Sequence, residues 1–263
     1  MHLPRSAAVA PRLEVLASAG STNDELRRRV QHEPEEWPDG SVLVTDDQTA
    51  GRGRLGRSWT APAGGSIAIS LLVRADLPPT AIGWLPLLAG LAMTRALRDL
   101  GVPAALKWPN DVLVRGRKLC GILAELLPGA DGLIVGAGVN LTLTEEELPV
   151  PTATSLAMEG VEPDPDAVLA GYLSAFRTEL DALAAARGSA ERSGLRAAVL
   201  GVCDTVGRAV RVELPSAMPL QGVATGIDET GRLLVLPGDT PHSGDSAGNA
   251  VPVSAGDVTH LRY

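Results

Sequence analysis

The spacing of apolar and polar positions changes several times along the chain, and each change predicts an element. "STNDELRRRV" (Ser21 to Val30) reads as the opening of a helix: Ser21 with Asp24, or Thr22 with Glu25, has capping-box spacing, and the acids lie in the first turn, where the helix dipole favours them. "SVLVTDDQ" (Ser41 to Gln48) and the longer, mostly apolar "GGSIAISLLVR" (Gly64 to Arg74) read as strands. "IGWLPLLAGLAMTRALRDLG" (Ile82 to Gly101) reads as a buried helix with Pro86 in its first turn and Gly101 as its stop. A short strand "AALKW" follows, then two strands about a turn at Arg115 to Arg117, then a third strand "GLIVGAGVNL". After a Pro- and Glu-rich link, helical period returns over Asp166 to Arg187 and, more briefly, over Ala190 to Leu200. From Thr205 the pattern becomes short strands at turn-rich intervals, as in a small barrel, and the polar stretch Pro237 to Asn249 reads as a mobile loop. These elements predict an α+β protein with a mixed, mainly antiparallel sheet over residues 1–203 and a small β-barrel over 204–263.

Composition narrows the function classes. With 45% hydrophobic and 21% charged residues the chain has the balance of a folded globular protein. A formal net charge of -8 disfavours a nucleic-acid coat or an anionic membrane surface, so any anion must be met by a local patch. The two cysteines, Cys120 and Cys203, form no C-x-x-C pattern and suit reduced thiols; the four histidines show no ligand spacing. No secretory leader and no run of about 18 uninterrupted apolar residues is present, so a cytoplasmic location is expected. Of 23 basic residues all but Lys107 and Lys118 are arginine, and both lysines fall in one segment, where a compact ammonium would have a use that a planar guanidinium lacks.

The local patch is "QTAGRGRLGRSW" (Gln48 to Trp59), which carries Arg52, Arg54 and Arg57 and no acid. "GRGRLG" formally satisfies the dinucleotide fingerprint, but Pro62, Gly64 and Gly65 block the helix that the fingerprint must open, and no Gly-Lys-Ser/Thr follows to make a phosphate-binding loop of the other common kind. What the stretch offers is flexible backbone, guanidiniums that fork onto phosphate or carboxylate oxygens, and an indole for a flat base. Mutual repulsion of the arginines and the entropy of the glycines predict a loop that is mobile until an anion arrives. A solvated basic turn with Trp59 in the core is the plainer alternative.

"KWPNDVLVRGRKLCGILAE" (Lys107 to Glu125), taken with "GSTND", "QTAGRGRLGRSW", "GAGVN" and the C-terminal "VSAGDVTHLR", resembles the biotin–protein ligases over nearly the whole chain. The resemblance implies a ligase domain similar to class II aminoacyl-tRNA synthetases followed by an SH3-like barrel. The implied reaction has two steps: biotin and ATP, supplied with Mg²⁺, give biotinyl-5′-AMP, and a lysine of a biotin carboxyl carrier protein then takes the biotinyl group. It also implies residue roles. Biotin contacts fall on Ser21, Thr22, Asn23, Gln48, Gly51, Arg52, Gly53, Arg54, Lys118, Gly121 and Gly138, and nucleotide contacts on Arg54, Arg57, Trp59, Lys107, Asn110 and Asn140. Lys118, Arg54, Lys107 and Asp111 would carry the chemistry, with Lys118 bridging the carboxylate and the α-phosphate. Neutral hydroxyls and amides suit a ureido ring; a plain helix cap is the other reading of Ser21 and Thr22, one can cap while the other binds, and the resemblance favours binding. Asp111 could orient a lysine, hold Mg²⁺ through water, or be a simple salt-bridge partner. Gly136 joins Gly121 and Gly138 as a place where backbone approaches a ligand, and Cys120 reads as a buried strand thiol.

The longer, bifunctional relatives carry an N-terminal DNA-binding domain; only residues 1–20 precede the "STND" stretch here, so no operator binding is expected. No membrane partner is expected, and the open edges of the large sheet offer a route to a homodimer. The alternatives are a lipoate or octanoyl ligase of the same superfamily and a non-catalytic nucleotide-binding module. Biotin-dependent ATP–pyrophosphate exchange separates them.

Overall fold

A computed structural model describes residues 1–214, 218–238, 249–254 and 256–261. Helix α1 (Pro4–Val9) leads into strand β1 (Leu13–Val15), then α2 (Thr22–His32) and β2 (Val42–Thr45). The arginine stretch folds as a two-stranded hairpin, β3 (Gly51–Arg52) and β4 (Ser58–Trp59), whose tip places Leu55 in the left-handed region at φ 56°. No helix follows it, as the Pro and Gly residues require. Next come β5 (Ser66–Val73), α3 (Leu85–Asp99), β6 (Ala104–Lys107), β7 (Asp111–Val114), β8 (Arg117–Leu126) and β9 (Leu133–Asn140). Seven strands form one sheet in the order β1-β2-β5-β9-β8-β7-β6. Only β1 and β2 pair in parallel; the other pairs are antiparallel. The β7–β8 turn has Arg115 at φ 49° and Gly116 at φ 78°, the paired positive angles of a tight hairpin turn.

Strand alternation sorts the two faces of this sheet. Ile67, Ile69 and Leu71 of β5 and Val135, Ala137 and Val139 of β9 point into the main core with α3 and the long helix α4 (Pro165–Ala185). Their neighbours Ala68, Ser70, Gly136 and Gly138 point to the opposite face, where α2 packs through Leu26 and Val30 onto Leu43, Leu72 and Ile134. That second face is therefore bare of large side chains beyond the N-terminus of α2, and the pocket lies there. The stretch Pro79–Asp99 has the length and apolarity of a membrane span, but most of it is buried inside the fold, as in the core helix of a globular domain.

Sequence-based expectations missed α1 and β1. Both are too short to show a period, and α1 is held from a distance: Asp166, in the first turn of α4, accepts hydrogen bonds from the backbone N–H groups of Arg5 and Ser6 (2.9 Å each) and from Ser6 Oγ (2.7 Å). The helix expected over 190–200 forms only as α5 (Leu195–Leu200), because Gly194 at φ 80° interrupts it.

Strands β10 (Ala209–Glu213), β11 (Leu220–Ile227), β12 (Leu233–Pro237), β13 (Val251–Val253) and β14 (Asp257–His260) make a second, antiparallel sheet in the order β13-β12-β11-β10-β14. Among the described residues β13 and β14 do not pair, so this barrel-like unit is not closed by hydrogen bonds. Most of the polar loop read over 237–249 lies outside the described residues. The second sheet docks on the first through indoles: Trp84 Nε1 donates to Glu229 O at 2.8 Å and Trp108 Nε1 to Gly231 O at 3.0 Å.

Candidate active site

Two cavities meet on the α2 face. The smaller, about 120 Å³, lies between the start of α2, the arginine hairpin and the glycine-bearing stretches of β8 and β9. The larger, about 870 Å³, runs between β6–β7 and the β14 edge of the second sheet. Arg57, Ser58, Trp59, Asp111, Lys118 and Asp257 line both, so they form the shared wall.

Every predicted biotin-side residue except Gly51 lines the smaller cavity. Ser21 caps α2 by accepting from Asp24 N at 3.4 Å, so it keeps the plain capping role that the spacing allowed. Gln48 Oε1 accepts from Thr22 N (2.9 Å) and Thr22 Oγ1 (3.1 Å). Gly51 sits under Gln48 and pairs with Trp59 across the hairpin, so it shapes the loop from behind. Gly136 admits the Asn23 amide: a Cβ there would lie 2.6 Å from Asn23 Oδ1. At Gly138 the close neighbour is the Trp59 indole, where a Cβ would sit 2.7 Å from Cζ2, and at Gly121 a Cβ would lie 3.0 Å from both Trp59 Cζ3 and Lys118 Nζ.

The guanidiniums do not repel one another as a bare cluster. Arg52 reaches Asp24 (2.5 Å) and Glu125 (3.1 Å), Arg54 donates to Asn110 Oδ1 (3.2 Å), and Arg57 pairs with Asp257 of β14 (2.5 Å). Burial brings the Arg54 guanidinium down from its ordinary value, against the opposing pull of Asp111 and Asp257. Asn110 in turn donates from Nδ2 to Ile122 O at 2.7 Å, which fixes its oxygen toward Arg54.

Lys118 Nζ stands 2.6 Å from Asp111 Oδ1 and 5.7 Å from the centre of the Trp59 ring. Asp111 is thus engaged by an ammonium, and among the described residues no cluster of three His, Cys, Asp or Glu side chains forms a metal site. Lys107 lines the larger cavity and, among the described residues, has no carboxylate at ion-pair distance. Trp108 is core. Asn140 lines the larger cavity at its edge, but it is buried and its amide donates to Thr154 O at 2.9 Å, which makes it a brace between β9 and the following loop. Burial pushes the Cys120 thiol up to about 12, so it stays protonated and inert.

The sequence assigns no role to four residues at this site, although Glu125, Asp257 and His260 lie within stretches that carry the resemblance. Ser70 and Glu125 face Asn23, while Asp257 and His260 face the lysines from the second sheet. Burial raises the Asp257 carboxyl, but the hydrogen bond and charge of Arg57, with Lys107 and Lys118 nearby, outweigh it and hold the group below its ordinary value.

A mainly antiparallel sheet with one bare face, two cavities joined by a cationic wall, and a small second sheet beside the larger cavity make a site with room for two ligands, one on each side of that wall. Residues 16–140 match the biotin/lipoate A/B protein ligase family, and residues 205–261 match the biotin protein ligase C-terminal domain. A biotin–[acetyl-CoA-carboxylase] ligase of Mycobacterium tuberculosis is 43% identical over 256 residues, covering 95% of this chain and 89% of that protein. The bifunctional ligase/repressor BirA of Escherichia coli is 30% identical over 84% of this chain and 68% of its own length. The structure of a biotin protein ligase from Aquifex aeolicus in complex with biotin and ATP superposes with a TM-score of 0.75 at 28% identity, covering 96% of this chain and 100% of that one. The chain belongs to the biotin/lipoate A/B protein ligase family.

Proposed function

We propose that this chain is an ATP-dependent biotin–protein ligase that joins biotin to AMP with release of pyrophosphate and passes the biotinyl group to a lysine of a biotin carboxyl carrier protein. The observation that carries the reading is the Lys118–Asp111 pair on the wall shared by the two cavities. A carboxylate entering from the smaller cavity and an α-phosphate from the larger one repel by about 4 kcal/mol at 4 Å and an effective dielectric near 20. An ammonium fixed between them removes that barrier and stabilises charge spreading onto the phosphoryl oxygens.

In this reading Asp111 holds Lys118 on the shared wall, and Mg²⁺ arrives bound to ATP. Asn110 aims Arg54 at the same region, Lys107 and Arg57 serve the polyphosphate, and Trp59 offers its ring to the adenine. Ser21, Thr22, Asn23 and Gln48 supply the neutral polar end for biotin. The family-model matches at 16–140 and 205–261 support a boundary between ligase domain and small C-terminal domain near Cys203.

ATP–pyrophosphate exchange tests the reading. It is expected with biotin and absent with lipoate or with neither acid, and Lys118→Ala is expected to lose it while melting as a folded protein. Exchange driven by lipoate, or full exchange in Lys118→Ala, would remove the assignment.

A further inference from the structure

We propose that Ser70 and Glu125 are positioning residues that set the hydrogen-bond polarity of the biotin seat and thereby select a ureido ring; the proposal rests on the ligase reading above. Two groups at the seat have no choice of role. The backbone N–H of Thr22 can only donate, so the side-chain atom of Gln48 facing it at 2.9 Å is the oxygen. The Thr22 hydroxyl lies 3.1 Å from that same oxygen and must give it its proton, which leaves the Thr22 lone pairs free to accept. Asn23 is fixed likewise. Leu123 O (3.3 Å) and the Glu125 carboxylate (2.8 Å) are both pure acceptors, so the Asn23 –NH₂ must face them and its oxygen must face Ser70. The fully buried Ser70 hydroxyl then donates to Asn23 Oδ1 at 2.6 Å and uses one of its two lone pairs.

Capacity at the seat follows by subtraction. Ser21 Oγ accepts from Asp24 N, so its proton is available; Thr22 Oγ1 and Asn23 Oδ1 each keep an acceptor site. One donor and two acceptors are the complement of a ureido group, which has one carbonyl and two N–H bonds. A dithiolane ring would leave all of them unmatched, and unmatched buried polar groups discriminate strongly. Gly136 permits the arrangement, because any side chain there would push the Asn23 amide off the strand. Ser70 and Glu125 reach the seat from β5 and β8; Ser70 acts through Asn23, and Glu125 acts through Asn23 while it also pairs with Arg52 at 3.1 Å.

Titration of biotin by calorimetry without ATP, with steady-state exchange kinetics, tests this on the intact chain. Ser70→Ala and Glu125→Ala are each expected to raise the Kd and KM for biotin about fivefold to twentyfold, since each removes one hydrogen bond to the buried Asn23 amide. The KM for ATP and kcat are expected to hold. Ser70→Thr, which keeps the donor, is expected to recover most of the affinity. Arg27→Gln separates polarity from charge: Arg27 pairs with Glu125 at 3.3 Å without touching the Asn23 amide, and the biotin Kd is expected to stay within twofold. The proposal is overturned if Ser70→Ala and Glu125→Ala bind biotin like the parent, if Arg27→Gln weakens binding as much as Glu125→Ala, or if the KM for ATP rises in step. A parent protein that binds no biotin overturns the ligase reading instead.

Discussion

Gly138 and Trp59 show at residue scale how the bare sheet face is used. Because β9 has no side chain at Gly138, the indole of Trp59 rests directly on the strand, with Lys118 over its ring. Gly138→Ala is expected to displace that indole and to destabilise the protein by about 1–3 kcal/mol, the usual range for overpacking; chemical denaturation of the two forms measures it. Trp37, Trp84 and Trp108 are at most 2% exposed, which leaves Trp59 as the indole that solvent and ligand can reach. Addition of biotin and ATP is therefore expected to change tryptophan fluorescence in the parent, and Trp59→Phe is expected to abolish most of that change. An unaltered signal in Trp59→Phe would place the ligands elsewhere. The residue types at this scale were legible in the sequence because the motifs are contiguous. Their partners were not, since an acid such as Glu125 or a serine such as Ser70 on an alternating strand carries no local signature, and only the pairing of β5, β9 and β8 brings both to Asn23.

At the scale of elements, the arginine hairpin depends on acids contributed by three other segments. Asp24 belongs to α2, Glu125 to β8 and Asp257 to β14, and each takes one end of Arg52 or Arg57. No local pattern warns of this: the stretch reads as a repelling cationic loop, whereas tertiary contacts 28 to 200 positions away along the chain disperse the charge. The Arg57–Asp257 pair is largely exposed, so its direct contribution to stability is about 1 kcal/mol or less. Its consequence is local. Asp257→Asn is expected to leave the melting temperature nearly unchanged while trypsin cuts faster after Arg54 or Arg57, and biotin with ATP is expected to restore protection. Equal cleavage rates in parent and variant would show that β14 does not hold the hairpin. The major strands and α2, α3 and α4 were predictable from period and caps, while α1 was not, because its stability comes from Asp166 in another helix.

For the whole molecule, the second sheet reaches the chemistry through the base of the KWPND turn. Trp108 N donates to Thr205 Oγ1 at 3.0 Å, and His260 Nε2 lies 3.1 Å from the same oxygen. A neutral imidazole makes that contact either by accepting at Nε2 with its proton on Nδ1 or by donating from Nε2–H to the second lone pair of the hydroxyl. Burial and the charge of Lys107 lower the His260 pKa to about 4, although Asp204 pulls it upward. An unfolded histidine titrates near 6.5. As the pH falls below that value, the unfolded chain takes up a proton that the folded chain refuses. Stability is therefore fully present above about pH 6.5 and is lost as the pH falls toward 4, by an upper bound of about 3 kcal/mol. Carboxylates act lower. Glu25, held down to about 2 chiefly by its hydrogen bond to Arg28 against the cost of burial, loses its contribution only as the pH falls from 4.5 toward 2. The two windows are separable, so melting temperatures measured from pH 7.5 to 4.5 report mainly on the junction between the sheets. His260→Gln, whose amide oxygen can accept from Thr205 without titrating, is expected to flatten that decline. A parent curve already flat between pH 6.5 and 4.5, or a variant that falls just as steeply, would show that His260 is not what couples the second sheet to the lysine-bearing turn.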